Sequence, residues 1–171
     1  MPGPEVALDV LVEAGNWAEI KLEEIAVKAA EATLAHLGIA GPAEIALLAT
    51  SDAAIAGLNA EFRGKPAPTN VLSWPAKELS PAQPGVAPPL PEPDAFGVYA
   101  LGDIALGFET CAREAELSGK PLAQHCVHLI VHAILHLLGY DHMSDKDARL
   151  MEGLEAEILL KLGQPNPYQE P

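Results

Sequence analysis

HCVHLIVHAILHLLGYDH, residues 125–142, carries five of the chain's six histidines on an otherwise apolar background. Apolar residues recur between them at helical spacing. Pro121 suits a first-turn position and Gly139 a C′ stop, so Pro121 to Leu138 reads as one long helix. His132 and His136 stand one turn apart and project from the same face. Two imidazoles so spaced form a bidentate clamp for zinc, with nitrogens about 2.0–2.1 Å from the metal. Gly139 ends the helix and lets the chain turn, so that His142 returns a third nitrogen. Three protein ligands leave a position open, as a catalytic zinc site requires. His128 continues the stripe, but it lies about 12 Å from His136 along the axis at 1.5 Å per residue. Only one adjacent pair can share an ion, and the Gly139 turn lies beside the 132/136 pair. His125 and His128 therefore read as hydrogen-bonded helix histidines.

The fold grows outward from this helix. Upstream, Glu5 to Ala14 alternates as a strand with one buried face, and Asn16 is positioned to cap a helix from Trp17 to near Gly38. Glu44 to Thr50 is a compact apolar strand. Ser51 caps a short helix stopped at Gly64. Thr69 to Trp74 and Val98 to Leu106 read as two more strands. Between them SPAQPGVAPPLPEPDAFG holds six prolines and cannot pair centrally in a sheet. It is expected as an exposed extended loop, residues 76–97, within a single domain spanning 1–171. A helix follows from about Phe108 to Leu117. Ser144 with Asp147 resembles a capping box for a last helix to about Leu162, and residues 163–171 read as a loose tail. These elements predict an α+β domain: a mixed sheet of about four strands packed by four to five helices, with the metal site at the end of the long helix.

Composition narrows the setting. The 171 residues suit one core, 49% apolar and 20% charged, and with aromatics at only 5% that core rests on Leu, Ile, Val and Ala. The N-terminus lacks the basic flank and apolar stretch of a signal peptide, and Cys126 to Leu138 is too short to span a bilayer. Cys111 and Cys126 show no metal or secreted spacing, so reduced thiols and a cytoplasmic protein without membrane contact are expected. The net charge of −14, with ten Lys and Arg against twenty-four Asp and Glu, opposes a nucleic-acid role unless a small local cationic site supports it.

The spacing H-x3-H-x2-G-x2-H also matches the metzincin proteases, which place a glutamate after the first histidine as general base. Here that residue is Ala133, which cannot accept a proton. The stretch His132-Ala-Ile-Leu-His136-Leu-Leu-Gly139-Tyr-Asp141-His142 resembles instead the YbeY-type endoribonucleases. LNAEFRGKPAPTNVLSWP, residues 58–75, is similar to that family's Leu-Asn…Phe-Arg-Gly…Thr-Asp-Val-Leu-Ser-Phe-Pro block, and LGDIALG, residues 101–107, to its Gly-Asp-Ile strand. The chain departs from the pattern at Asn70 (Asp in the family), Trp74 (Phe) and Ala133 (Gly), and its proline-rich insert is longer. Asn70 matters if the family's carboxylate orders the loop there.

The resemblance implies a zinc-dependent endoribonuclease that prefers single-stranded RNA and acts in ribosomal RNA maturation and ribosome quality control. Its implied partners are ribosomal RNA, small-subunit ribosomal components and an assembly GTPase. Arg63 matches the family's functional arginine, and a guanidinium near the metal suits bidentate phosphate binding. Lys65 would assist as a point charge, and Ser73 and Asn70 would line the groove. Asp141 is a candidate either for general base or for orienting an imidazole, and Asp103 reads as structural. Imidazole ligands also suit nickel and other transition metals. Two other classes compete: a metallohydrolase on a peptide or amide, disfavoured by Ala133, and a non-catalytic ribosome-assembly module with a structural zinc, disfavoured because only three good ligands are present.

Overall fold

A computed structural model describes residues 5–64 and 67–168. Four strands form one mixed sheet: β1 (Val6–Val12), β2 (Ala43–Thr50), β3 (Val71–Pro75) and β4 (Tyr99–Gly107), in the order β1-β2-β4-β3. β1, β2 and β4 are parallel, and β3 runs antiparallel to β4. Five α-helices accompany them: α1 (Leu22–His36), α2 (Asp52–Arg63), α3 (Phe108–Ser118), α4 (Leu122–Leu137) and α5 (Asp145–Lys161). Among the described residues no helix is long and apolar enough to cross a membrane.

The histidine-bearing helix is the centre of the fold. α4 lies against β3 and β4 and touches α1, α3 and α5. Its Val127, Ile130, Val131, Ile134 and Leu135 are buried in the main core, which Ile45, Leu47, Ile104 and Leu106 of the sheet complete. α2 takes the other face of the sheet, where Ile55 packs on Leu72 and Ala105. Those two residues alternate with core-facing neighbours, so the pleat turns them the other way. α4 is thus buried nearly all round, and its ligand-bearing end emerges where β3 and the turn after α4 meet.

Three local features differ from the sequence expectation. The first helix is split: Trp17–Ile20 forms a 3-10 turn, Lys21 takes φ 51°, and α1 begins only at Leu22. Asn16 makes no side-chain cap. Trp17 decides this, because its indole donates to the Ala14 carbonyl at 2.7 Å and its ring meets Phe108 edge-on, holding the entry to the helix as a turn. In β4, two residues face one across β2, between Glu44 and Ile45. Gly102 follows this bulge at φ 136°, where an added Cβ would meet the Trp74 carbonyl oxygen at 2.2 Å. The tail expected to be loose turns back over its described part. The Gln164 N–H donates to the Leu159 carbonyl, and the Tyr168 hydroxyl reaches α5. The proline-rich segment between β3 and β4 carries no strand or helix, and the strands it joins are paired neighbours.

Candidate metal centre

At the C-terminal end of α4, His132 and His136 share a face as their spacing dictates, with ring centroids 4.5 Å apart. Leu138 closes the helix, and Gly139 takes φ 99°. An added Cβ there would lie 1.8 Å from the Leu79 carbonyl oxygen, so only glycine permits this turn. Three residues on, the His142 ring sits 5.7 Å from that of His132 and 5.2 Å from that of His136. One ligand atom from each of the three lies within 4.8 Å of the others, a set able to hold a metal ion.

The hydrogen bonds around the rings fix how they present their nitrogens. His136 Nδ1 donates to the Tyr140 carbonyl at 2.9 Å. His132 Nδ1 lies 3.2 Å from Glu155 Oε1, and since an ionised carboxylate only accepts, the imidazole donates. The two Nε2 atoms face each other at 3.0 Å. Burial, then His132 and His142, lower the His136 pKa to about 4, so near neutral pH it is the uncharged imidazole a metal requires. The donor set fits zinc.

Glu155 of α5 is fully buried. Burial pushes its pKa up, but the hydrogen bonds from His128 and His132 outweigh it and bring it down to about 2. His128 Nε2 donates to Glu155 at 2.8 Å and His125 Nε2 donates to Glu114 at 2.9 Å. Both histidines are therefore satisfied helix residues outside the ligand set, as their position along α4 suggested. Sequence reasoning missed Glu155, although a signal existed. A glutamate interrupts the apolar stripe Met151, Ile158, Leu159 of the last helix, and such a residue is buried only with partners.

The imidazoles line one end of a cleft of about 550 Å³. Arg63, Asn70, Ser73, Ala133 and Asp141 also line it, and among the described residues Arg63 is its only Lys or Arg. Arg63 stands in the last turn of α2, which Ser51 caps and Gly64 ends, and its guanidinium donates to the Ser73 carbonyl at 3.2 Å. Ser73 thus meets Arg63 through its backbone, not its hydroxyl. Asp141 accepts from the backbone N–H of His142 and, among the described residues, makes no hydrogen bond to an imidazole; that orienting role falls to Glu155 and to the Tyr140 carbonyl. Asn70 holds the segment leading into β3. Its Oδ1 accepts from the Val71 N–H at 2.7 Å, and its Nδ2 donates to Glu114 at 2.9 Å. Asp103 lies within β4, outside the cleft. Lys65 lies outside the described residues.

Residues 11–163 match the family model for endoribonuclease YbeY. The chain belongs to the YbeY endoribonuclease family. Endoribonuclease YbeY of Ruegeria pomeroyi is 54% identical to it, over 95% of this chain and 98% of the relative. That of Dinoroseobacter shibae is 53% identical, over 96% and 91% respectively. The solution structure of a Thermotoga maritima protein shares the fold at a TM-score of 0.52 and 21% identity, covering 96% of this chain and 100% of its own. The YbeY match spans the histidine centre, the arginine helix and the proline-rich segment alike.

Proposed function

We propose that this chain is a zinc-dependent endoribonuclease that cuts single-stranded regions of ribosomal RNA during ribosome maturation and quality control, in the cytoplasm. The observation that carries the reading is the convergence of His132, His136 and His142, with one ligand atom from each within 4.8 Å of the others, in a cleft that also holds Arg63. His132, His136 and His142 are the residues that would hold the ion. When bound, zinc supplies Lewis acidity toward a phosphoryl oxygen and makes water a competent nucleophile near neutral pH.

The chain's own groups divide the rest of the work. Arg63 binds the scissile phosphate and balances the charge that develops on it. Its hydrogen bond to the Ser73 carbonyl holds the guanidinium at the cleft wall without neutralising it. Lys65 adds a point charge for the RNA backbone, and Ser73 lines the strand's path. Asp141, hydrogen-bonded to no imidazole among the described residues, is the nearest carboxylate in sequence to the ligands and acts as the proton acceptor. Ala133 lines the cleft where a metzincin protease carries its glutamate, so the same spacing of histidines does not support peptide hydrolysis.

With a net charge of −14, the exterior disfavours indiscriminate RNA contact. Affinity then depends on this small site and on partners, for which small-subunit ribosomal components and an assembly GTPase are the proposal. The test is cleavage of structured and single-stranded ribosomal RNA by zinc-loaded protein, beside Arg63→Ala and His136→Ala. Loss of cleavage in both variants, with zinc lost only in His136→Ala, supports the reading. Equal cleavage by all three refutes it, as does tight binding of random single-stranded RNA at physiological salt for the charge argument.

A further inference from the structure

Glu155 Oε1 accepts three hydrogen bonds: from His132 Nδ1 at 3.2 Å, from His128 Nε2 at 2.8 Å and from the Tyr168 hydroxyl at 2.9 Å. The other oxygen, Oε2, is buried with no partner among the described residues. A buried carboxylate that crowds three donors onto one oxygen and leaves the other bare is poorly placed to stabilise the fold, since each unmet buried acceptor costs free energy. It is well placed to aim a ring. Only one of the three donors belongs to the metal set, and the other two hold the acceptor where that ring needs it. Tyr168 comes from the chain's C-terminal segment. Its own N–H is tied to Asn166 Oδ1 at 2.8 Å, and its ring meets His128 edge-on at 5.7 Å.

We infer that Glu155 is a positioning residue for His132, and that Tyr168 latches it in place, so the C-terminal segment sets the metal affinity of a centre it does not touch. This rests on the zinc reading above. The Glu155 carboxylate accepts from His132 Nδ1 and so leaves Nε2 turned toward His136 and His142. Metal-bound histidines supported this way lose affinity when the acceptor is changed. Tyr168 and His128 share the carboxylate oxygen and stop the glutamate side chain from swinging to another rotamer.

The experiment measures zinc affinity by chelator competition, the visible absorption of the cobalt-substituted protein, and the unfolding midpoint of the metal-free protein. The variants are Glu155→Gln, Tyr168→Phe and His125→Gln. Glu155→Gln keeps the shape and removes the charge; zinc affinity is expected to fall about 10- to 100-fold, with an altered cobalt spectrum. Tyr168→Phe keeps the ring on a half-exposed residue, so it folds, and is expected to weaken zinc several-fold. His125→Gln changes a histidine of the same helix bonded to Glu114, and should leave both metal readouts unchanged. A residue that merely supports the fold would move the unfolding midpoint and leave affinity and spectrum alone. Wild-type affinity in both Glu155→Gln and Tyr168→Phe overturns the inference while leaving the zinc centre standing. Equal weakening by His125→Gln overturns it too, as a general loosening of α4. Wild-type protein that binds no zinc, or binds it undiminished after His136→Ala, removes the zinc reading itself and this inference with it.

Discussion

Replacing Gly139 by alanine tests whether the turn that brings His142 home is held by backbone sterics. The added Cβ would sit 1.8 Å from the Leu79 carbonyl oxygen and 2.7 Å from its carbon, well short of the 3.4 Å where ordinary contact begins. Both atoms are backbone, so no side chain can swing aside. A non-glycine residue at φ 99° adds strain of about 1–3 kcal/mol, and forcing a group into packed space adds about 1–3 kcal/mol more. The gain from a stiffer unfolded chain returns about 0.4–1 kcal/mol. The net destabilisation is about 3 kcal/mol, which for a chain of this size lowers the melting temperature by about 6–12 °C. Thermal and urea unfolding of metal-free protein measure it, with Gly153→Ala as comparison. Gly153 lies exposed in α5 with nothing within 4 Å of its added Cβ, so alanine there should stabilise by about 0.5–1 kcal/mol. Zinc affinity should also fall in Gly139→Ala, because relief of the clash shifts the segment leading to His142. A Gly139→Ala protein as stable as wild type would show that the steric reasoning is wrong.

Other outcomes follow from single contacts. The His136 pKa, lowered from 6.5 to about 4, makes the unfolded chain bind the extra proton first. The stability tied to neutral His136 is therefore complete above pH 6.5 and is lost as pH falls from 6.5 toward 4. The loss is at most about 2 kcal/mol at pH 5, and urea titrations of metal-free wild type should show it more steeply than those of His136→Asn. Asn70→Asp replaces the hydrogen bond to Glu114 with two carboxylates in contact, so unfolding at pH 7.5 should show a loss of about 1–3 kcal/mol that shrinks at pH 5, where the pair shares a proton. Arg63→Lys keeps the charge but not the planar fork, and single-turnover RNA cleavage should slow about 10- to 100-fold with zinc content unchanged. Cleavage at wild-type rates would remove Arg63 from phosphate binding.

Legibility in the sequence followed locality. Element boundaries at Ser51, Gly64 and Ser144 were readable because their caps are local, and both serines accept the expected backbone N–H. The split at Lys21 was not, because Trp17 meets Phe108, a residue far along the chain. Asp141 shows the same limit at the site: adjacency to His142 suggested a role in orienting an imidazole, and the fold gave that bond to Glu155, 23 residues from His132.

The pairing of the two helix histidines needed no tertiary information. Helical geometry alone puts His132 and His136 on one face, and a glycine alone can turn the chain after them at φ 99°. Ala133 likewise told against a protease from its identity only. The tertiary structure decided everything that joins distant segments: the order β1-β2-β4-β3, Arg63 in one cleft with the histidines, and Tyr168 closing on Glu155. The reason is physical. Backbone periodicity is written into each short stretch, whereas contacts between stretches arise from how buried faces pack, and no spacing along the chain encodes that.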